Sequence, residues 1–303
     1  MRALLLLCSL FFLSMQTIDA QLLWKISKKG QPDSYLFGTH HLIPLSILDS
    51  KPEVEKAYQK AEVVIGEIDI SEMSNPILMS YYQSAMMMPK DSLLNKIVPE
   101  AELQVIVEGV KKQGLPIPES SIVGMRPNTI STFLSVTIST KAIQKLFPTN
   151  GQQNAIDFLF QQKAQKDGKQ IIGLETMKFQ TDVLLKSKSF KESLDELLKM
   201  FDCMENTDMV KHAIDLTEAY IKEDINKMYA FTYDSSICPS LKPSDKDLDI
   251  LLYNRNNNWI KLLTNNFLPK QSNFIAVGAL HLPGNKGLIK LLEKEGYKLT
   301  PIQ

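Results

Sequence analysis

Short apolar runs that stop at a glycine mark this chain in four places. Tyr35-Leu36-Phe37-Gly38, Val63-Val64-Ile65-Gly66, Gln170-Ile171-Ile172-Gly173 and Phe274-Ile275-Ala276-Val277-Gly278 each read as a brief buried strand. Leu22 to Ile26 and Ser34 to Gly38 flank a turn-rich stretch, Lys28 to Asp33, and predict an opening β-hairpin. Pro52 opens a helix through about Ala61 that leads into the Val63 strand, forming a β-α-β unit. From Ser74 to Gln165 the pattern is mainly helical, broken by Pro89, Pro99, Pro116, Pro118 and Pro148. A helix follows Glu175, and Phe190 to Leu263 is helical again, with apolar positions recurring around Ser193 to Leu198 and Ala213 to Leu216. The last unit is a strand at Phe274 to Gly278, a helix at Lys286 to Lys294 and a strand at Tyr297 to Ile302. The expected fold is α/β (α+β). A mixed central sheet comes from two strand-Gly-x-x-His and strand-Glu halves, with a large helical insertion.

The residues after each glycine carry the candidate chemistry. Gly38-Thr39-His40-His41 and Gly278-Ala279-Leu280-His281 repeat one Gly-x-x-His step near the two ends of the chain. With 13 Gly and 4 His in 303 residues, chance predicts about 0.2 such matches. Between them, Gly66-Glu67-Ile68-Asp69 and Gly173-Leu174-Glu175 end the other two runs in a glutamate. Open α/β sheets assemble ligand sites at strand ends. Two imidazoles (His41, His281) and two carboxylates (Glu67, Glu175) converging on one sheet edge form a candidate divalent metal site with room for water. Each residue alone has a plainer reading, as a hydrogen-bonded or solvated strand end. His40 projects away from His41 if the strand continues past Gly38, which makes it the lesser ligand candidate. His212 lies on a charged helix and reads as solvated. Met86-Met87-Met88 runs around a helix, so it suits a core or a flexible contact surface rather than copper binding.

Composition narrows the setting. Arg2 and the apolar stretch Ala3 to Met15, ending near the small residue Ala20, read as a signal peptide over residues 1–20. Residues 21–303 then form a single domain, with helical insertions at about 74–165 and 176–265. The chain has 34 Lys+Arg and 34 Asp+Glu, and removing residues 1–20 leaves that balance even, which argues against nucleic acid and against a polybasic membrane patch. An exported chain, secreted or periplasmic, meets an oxidising compartment, so Cys203 and Cys238 are expected to form a disulfide. Phosphate-binding glycine loops are absent, so no nucleotide is expected. Neither a Gly-x-Ser-x-Gly elbow nor a His-Glu-x-x-His helix occurs, which sets aside the common serine-hydrolase and helical zinc-protease arrangements.

The order of these motifs resembles the TraB/GumN family, which includes the Tiki-type metalloproteases. The resemblance rests on Gly38 to His41, on Val63 to Asp69 and on Gly173 to Thr176 with Gln180. It continues in Arg255-Asn256 with Trp259, and in Gly278 to Gly284. It maps the family histidine to His41, and this chain departs from the pattern at His40, where an apolar residue is usual. The resemblance implies a metal-dependent, peptidase-like hydrolase of the bacterial envelope or secreted space, with manganese or cobalt favoured and zinc a third candidate. In that reading His41 and His281 bind the ion together with Glu67 or Glu175, and the other carboxylate is the general base. Arg255 is a candidate for a substrate carboxylate or an oxyanion, or else for a structural pair with an acidic helix neighbour. Asp69, Gln180 and His40 would orient the ligands. The expected partner is a peptide or other small polymer, with no membrane contact required. The competing expectation is a non-catalytic module of the same fold that binds metal, haem or glycan, since the GumN name is associated with polysaccharide biosynthesis.

Overall fold

The computed structural model describes residues 21–148, 155–234 and 238–303, so the signal-peptide expectation at 1–20 lies outside the described residues. Strands β1 (Leu23–Ser27) and β2 (Ser34–Thr39) form the expected hairpin, with Trp24 opposite Leu36. Its turn uses Gly30 at φ +80°, a left-handed conformation that a side chain would strain. The helix Pro52–Lys60 buries Val54, Ala57 and Tyr58, a spacing of three and four that forms one apolar stripe. It leads into β3 (Val63–Gly66), and the remaining strands are β4 (Gln170–Gly173), β5 (Asn273–Gly278) and β6 (Lys298–Pro301).

The six strands make one mixed sheet in the order β4-β3-β5-β2-β1-β6. β4, β3, β5 and β2 run parallel, and β1 pairs antiparallel with both β2 and β6. The two halves interleave. β5, from near the end of the chain, inserts between β2 and β3, which therefore flank it rather than pair with each other. Parallel neighbours point their C-terminal ends the same way, so the segments after Thr39, Gly66, Gly173 and Gly278 emerge along one edge.

Helices cover the sheet. From the helix Ile156–Asp167, Phe160 stacks on Phe274 at a centroid separation of 4.7 Å and meets Tyr58 at 5.7 Å and Phe37 at 6.0 Å. These large rings form the centre of the main core. A second core forms away from the sheet among the helices Glu100–Lys112, Pro127–Leu146 and Phe190–Asn206, through Ile106, Val110, Leu134, Leu197 and Phe201. Cys203 and Cys238 are joined by a disulfide across 35 positions of sequence. His212 is partly buried edge-on to Phe231, which corrects the expectation of a solvated ring. Met86 ends the helix Pro76–Met86, and Met88 packs against the second core.

Candidate active site

Gly66 and Gly173 each admit a neighbour closer than a Cβ would allow, while a Cβ at Gly38 or Gly278 would be tight, at 3.1 and 3.2 Å from its nearest atom. At Gly66 a Cβ would lie 2.3 Å from Gln161 Nε2, and at Gly173 one would lie 2.6 Å from the Asp69 backbone nitrogen. The recurring glycine thus lets the next loop fold tightly against the strand end and fixes the direction of the glutamate beyond it. The Gly278 N–H also donates to Glu67 Oε1 at 2.9 Å, tying the β3 and β5 ends together.

A cavity of about 450 Å³ opens over this edge. Its polar floor comprises Thr39, His40 and His41 after β2, Glu67 after β3 and His281 after β5, joined by Asp157, Gln180 and Arg255. Its walls are apolar, with Leu42, Leu184, Leu216, Met228, Leu252 and Leu280. Three of the four predicted ligand positions therefore line one cavity, although they lie in distant parts of the sequence. Glu175 does not line it.

Arg255 explains where Glu175 goes. Its Nε donates to Glu175 Oε2 at 3.0 Å, and one terminal nitrogen (NH2) donates to Glu175 Oε1 at 2.6 Å and to Glu67 Oε2 at 2.5 Å. The other (NH1) donates to the Leu251 carbonyl at 3.0 Å and lies 3.2 Å from His281 Nε2. Trp259 Nε1 adds a bond to Glu175 Oε2 at 3.2 Å. A guanidinium has five N–H groups, and these five contacts match that capacity. Arg255 thus pairs with two glutamates that follow strands β3 and β4, not with an acidic neighbour on a helix. Arg255, Asn256 and Trp259 project from the helix Asn254–Leu262, which is flanked by wider π-helical turns at Asp249–Tyr253 and Leu263–Phe267.

Each of the two imidazoles has one nitrogen anchored. His41 Nδ1 lies 2.6 Å from Asp157 Oδ2, and His281 Nδ1 lies 2.7 Å from Asn256 Oδ1. In both rings this leaves Nε2 as the second ring atom, the arrangement by which an oxygen acceptor orients a histidine. The rings differ in setting. His281 is buried against the Trp259 ring at 4.4 Å, whereas 66 % of the His41 side chain is exposed. Burial lowers the His281 imidazole to about 4, with Arg255 adding to the effect, and the Asp157 hydrogen bond raises His41 to about 9. For Glu67, burial favours the neutral acid. The His281, Arg255 and His41 side chains and the Gly278 N–H outweigh it and hold the carboxyl at about 2. Glu175 moves the other way, raised by burial despite Arg255.

The orienting residues fall differently from the sequence expectation. Gln180 Nε2 donates to Glu67 Oε2 at 3.0 Å. Asp69 instead accepts from the Ser71 N–H and caps a short 3-10 turn, Ile70–Ser74, because a carboxylate is drawn to the free amides at a helix start. β2 ends at Thr39, so strand alternation does not carry on to His40, and His40 lines the same cavity as His41. It packs edge-on to Tyr220, and burial lowers it to about 4. Asp157 and Gln161 were missed by sequence reasoning. Both lie one position beyond the buried stripe Ile156, Phe160 and Ala164, and this polar pair four residues apart beside an apolar face was the available signal. Gln161 bonds the Ile70 N–H and the Ile68 carbonyl, both at 2.9 Å, and so fixes the loop that bears Glu67.

The family model for TraB/PrgY/gumN matches residues 22–301. The chain belongs to the TraB/PrgY/gumN family. Among curated proteins, this TraB/PrgY/gumN chain is similar to metalloprotease TIKI1 of Xenopus tropicalis, with 26 % identity over 313 residues, covering 91 % of the chain and 60 % of that protein. It is also similar to metalloprotease TIKI2 of Danio rerio, with 26 % identity over 326 residues, covering 93 % and 61 %. Metalloprotease TIKI1 of Homo sapiens is 23 % identical over 315 residues, covering 91 % and 61 %. The chain therefore spans about three-fifths of the length of these relatives. No solved structure matches it. Among the described residues, no group of three or more His, Cys, Asp or Glu is arranged to hold a metal ion, and no helix is long and apolar enough to cross a membrane.

Proposed function

We propose that this chain is an exported, metal-assisted hydrolase that cleaves amide bonds in peptide-like substrates. The observation that carries the reading is the one cavity that His41, Glu67 and His281 all line, with each imidazole held through Nδ1 by an oxygen. Similarity to proteins named metalloproteases supports the reaction class. The disulfide and the apolar segment at Ala3 to Met15 support export.

The donor set fits a divalent ion in its chemistry. Two anchored imidazoles are ordinary ligands for manganese, cobalt or zinc. Glu67 Oε1 lies 3.8 Å from His281 Nε2, so the carboxylate stands beside the imidazole that would help hold the ion. Glu175 does not fit, because its carboxylate is committed to Arg255 and Trp259. His41 and His281 are the residues that would hold the ion, beside Glu67. Such an ion lowers the pKa of a bound water and polarises the scissile carbonyl.

The chain's own groups supply the rest. Glu67 is anionic, and Arg255 and Gln180 fix its Oε2. Oε1 accepts one N–H from Gly278, and its second lone pair can take a proton from water, which makes Glu67 the general base.

The test is hydrolysis of a broad peptide library by purified protein, with and without added manganese, cobalt or zinc, alongside elemental analysis. Metal-stimulated turnover that Glu67→Gln abolishes while metal binding persists supports the proposal. Metal binding with no turnover on any peptide favours the non-catalytic module, and neither binding nor turnover removes the metal-dependent reading.

A further inference from the structure

Arg255 makes one contact that differs in kind from its ion pairs. An arginine nitrogen can only donate, so at 3.2 Å from Arg255 NH1 the His281 Nε2 atom must be the acceptor. The ring proton then resides on Nδ1 and points to Asn256 Oδ1 at 2.7 Å. The lone pair held by Arg255 is therefore the one a metal ion would need. The same guanidinium lies 2.5 Å from Glu67 Oε2. Its positive charge beside both groups offsets the attraction that the two carboxylates would exert on a divalent cation. The arginine is also braced in place. Glu175 grips it through two oxygens, and the Trp259 ring lies 4.7 Å from its central carbon.

We propose that Arg255 is an internal competitor for the divalent ion, so that loading requires Arg255 NH1 to release His281 while NH2 stays on Glu67 and Glu175. This inference rests on the metal-assisted reading of the same cavity. It opposes the simpler view in which Arg255 only anchors Glu67 and thereby strengthens binding. The two views differ in sign. Removing the guanidinium charge should tighten metal binding if Arg255 competes, and weaken it if Arg255 anchors.

The probe is cobalt chloride titrated calorimetrically into purified wild type, Arg255→Met and Arg255→Lys. A fourth protein combines Arg255→Met with Glu175→Gln, so that Glu175 is not left as a buried charge without its partner. Far-UV circular dichroism identifies the variants that fold, and the combined variant serves if Arg255→Met does not. At least about tenfold tighter cobalt binding in the charge-removing variants, with a smaller change in Arg255→Lys, is expected. Equal or weaker binding in those variants, while wild type still binds cobalt, overturns the proposal and leaves the metal-assisted reading intact. No cobalt binding by any of the four proteins overturns both.

Discussion

Arg255 holds two glutamates and a histidine at once, so substitutions at this site are expected to separate by what each side chain anchors. His281 and His41 differ from His40 in having Nδ1 fixed by a side-chain oxygen, from Asn256 and Asp157. His41→Ala and His281→Ala are expected to weaken metal binding with far-UV circular dichroism unchanged, and His40→Ala to do much less, as read by calorimetric titration. Asn256→Ala removes the acceptor that orients His281 and should cost about 10–100-fold in metal affinity with Glu67 untouched. Retained wild-type affinity in Asn256→Ala would show that the ring orientation comes instead from the Trp259 stack. Sequence reasoning reached His41, His281 and Glu67 because each ends a strand-like run. It did not foresee that Glu175 stays out of the cavity lining, because no local pattern reveals that an arginine 80 positions later closes on it.

At the scale of elements, glycine placement reports how closely neighbours pack. Gly109 lies in the last turn of the helix Glu100–Lys112, and glycine is a poorer helix former than alanine. The structure gives the reason, since a Cβ there would come within 2.3 Å of the Phe201 ring. Gly109→Ala is therefore expected to destabilise the second core by about 1–3 kcal/mol despite its better helix propensity, measured by urea denaturation. Unchanged or increased stability would mean that the helices Glu100–Lys112 and Phe190–Asn206 do not pack as described. The helix boundaries show a related limit of sequence reading. The sequence pattern starts the last helix at Lys286, whereas it begins at Leu288, because Pro283 and Gly284 build a turn that delays it.

At the scale of the molecule, the Cys203–Cys238 disulfide ties the helix Phe190–Asn206 to a distant loop. Closing a loop of 35 positions restricts the unfolded chain and is expected to contribute about 3–4 kcal/mol. Replacing both cysteines with serine should lower stability by about that amount, and free-thiol titration of the unreduced, denatured protein should find neither thiol. Two titratable thiols would rule out the cross-link and remove one support for export.

The strand and helix pattern was legible in the chain because burial imposes it locally. A β-branched run ending at glycine needs only its own residues to declare a strand end, and all four such runs became the parallel strands β2, β3, β4 and β5. The repeated Gly-x-x-His step likewise exposed the two imidazoles. Tertiary structure alone decided that β5 would insert between β2 and β3, and so which strand ends became neighbours. It also decided that Asp157, from a helix with no motif of its own, would meet His41, and that Arg255 would draw Glu175 away from the cavity. Periodicity records which face of an element is buried. Which polar groups meet across the sheet edge depends on strand order and on the pairing of buried charges, and these exist only once the chain has folded.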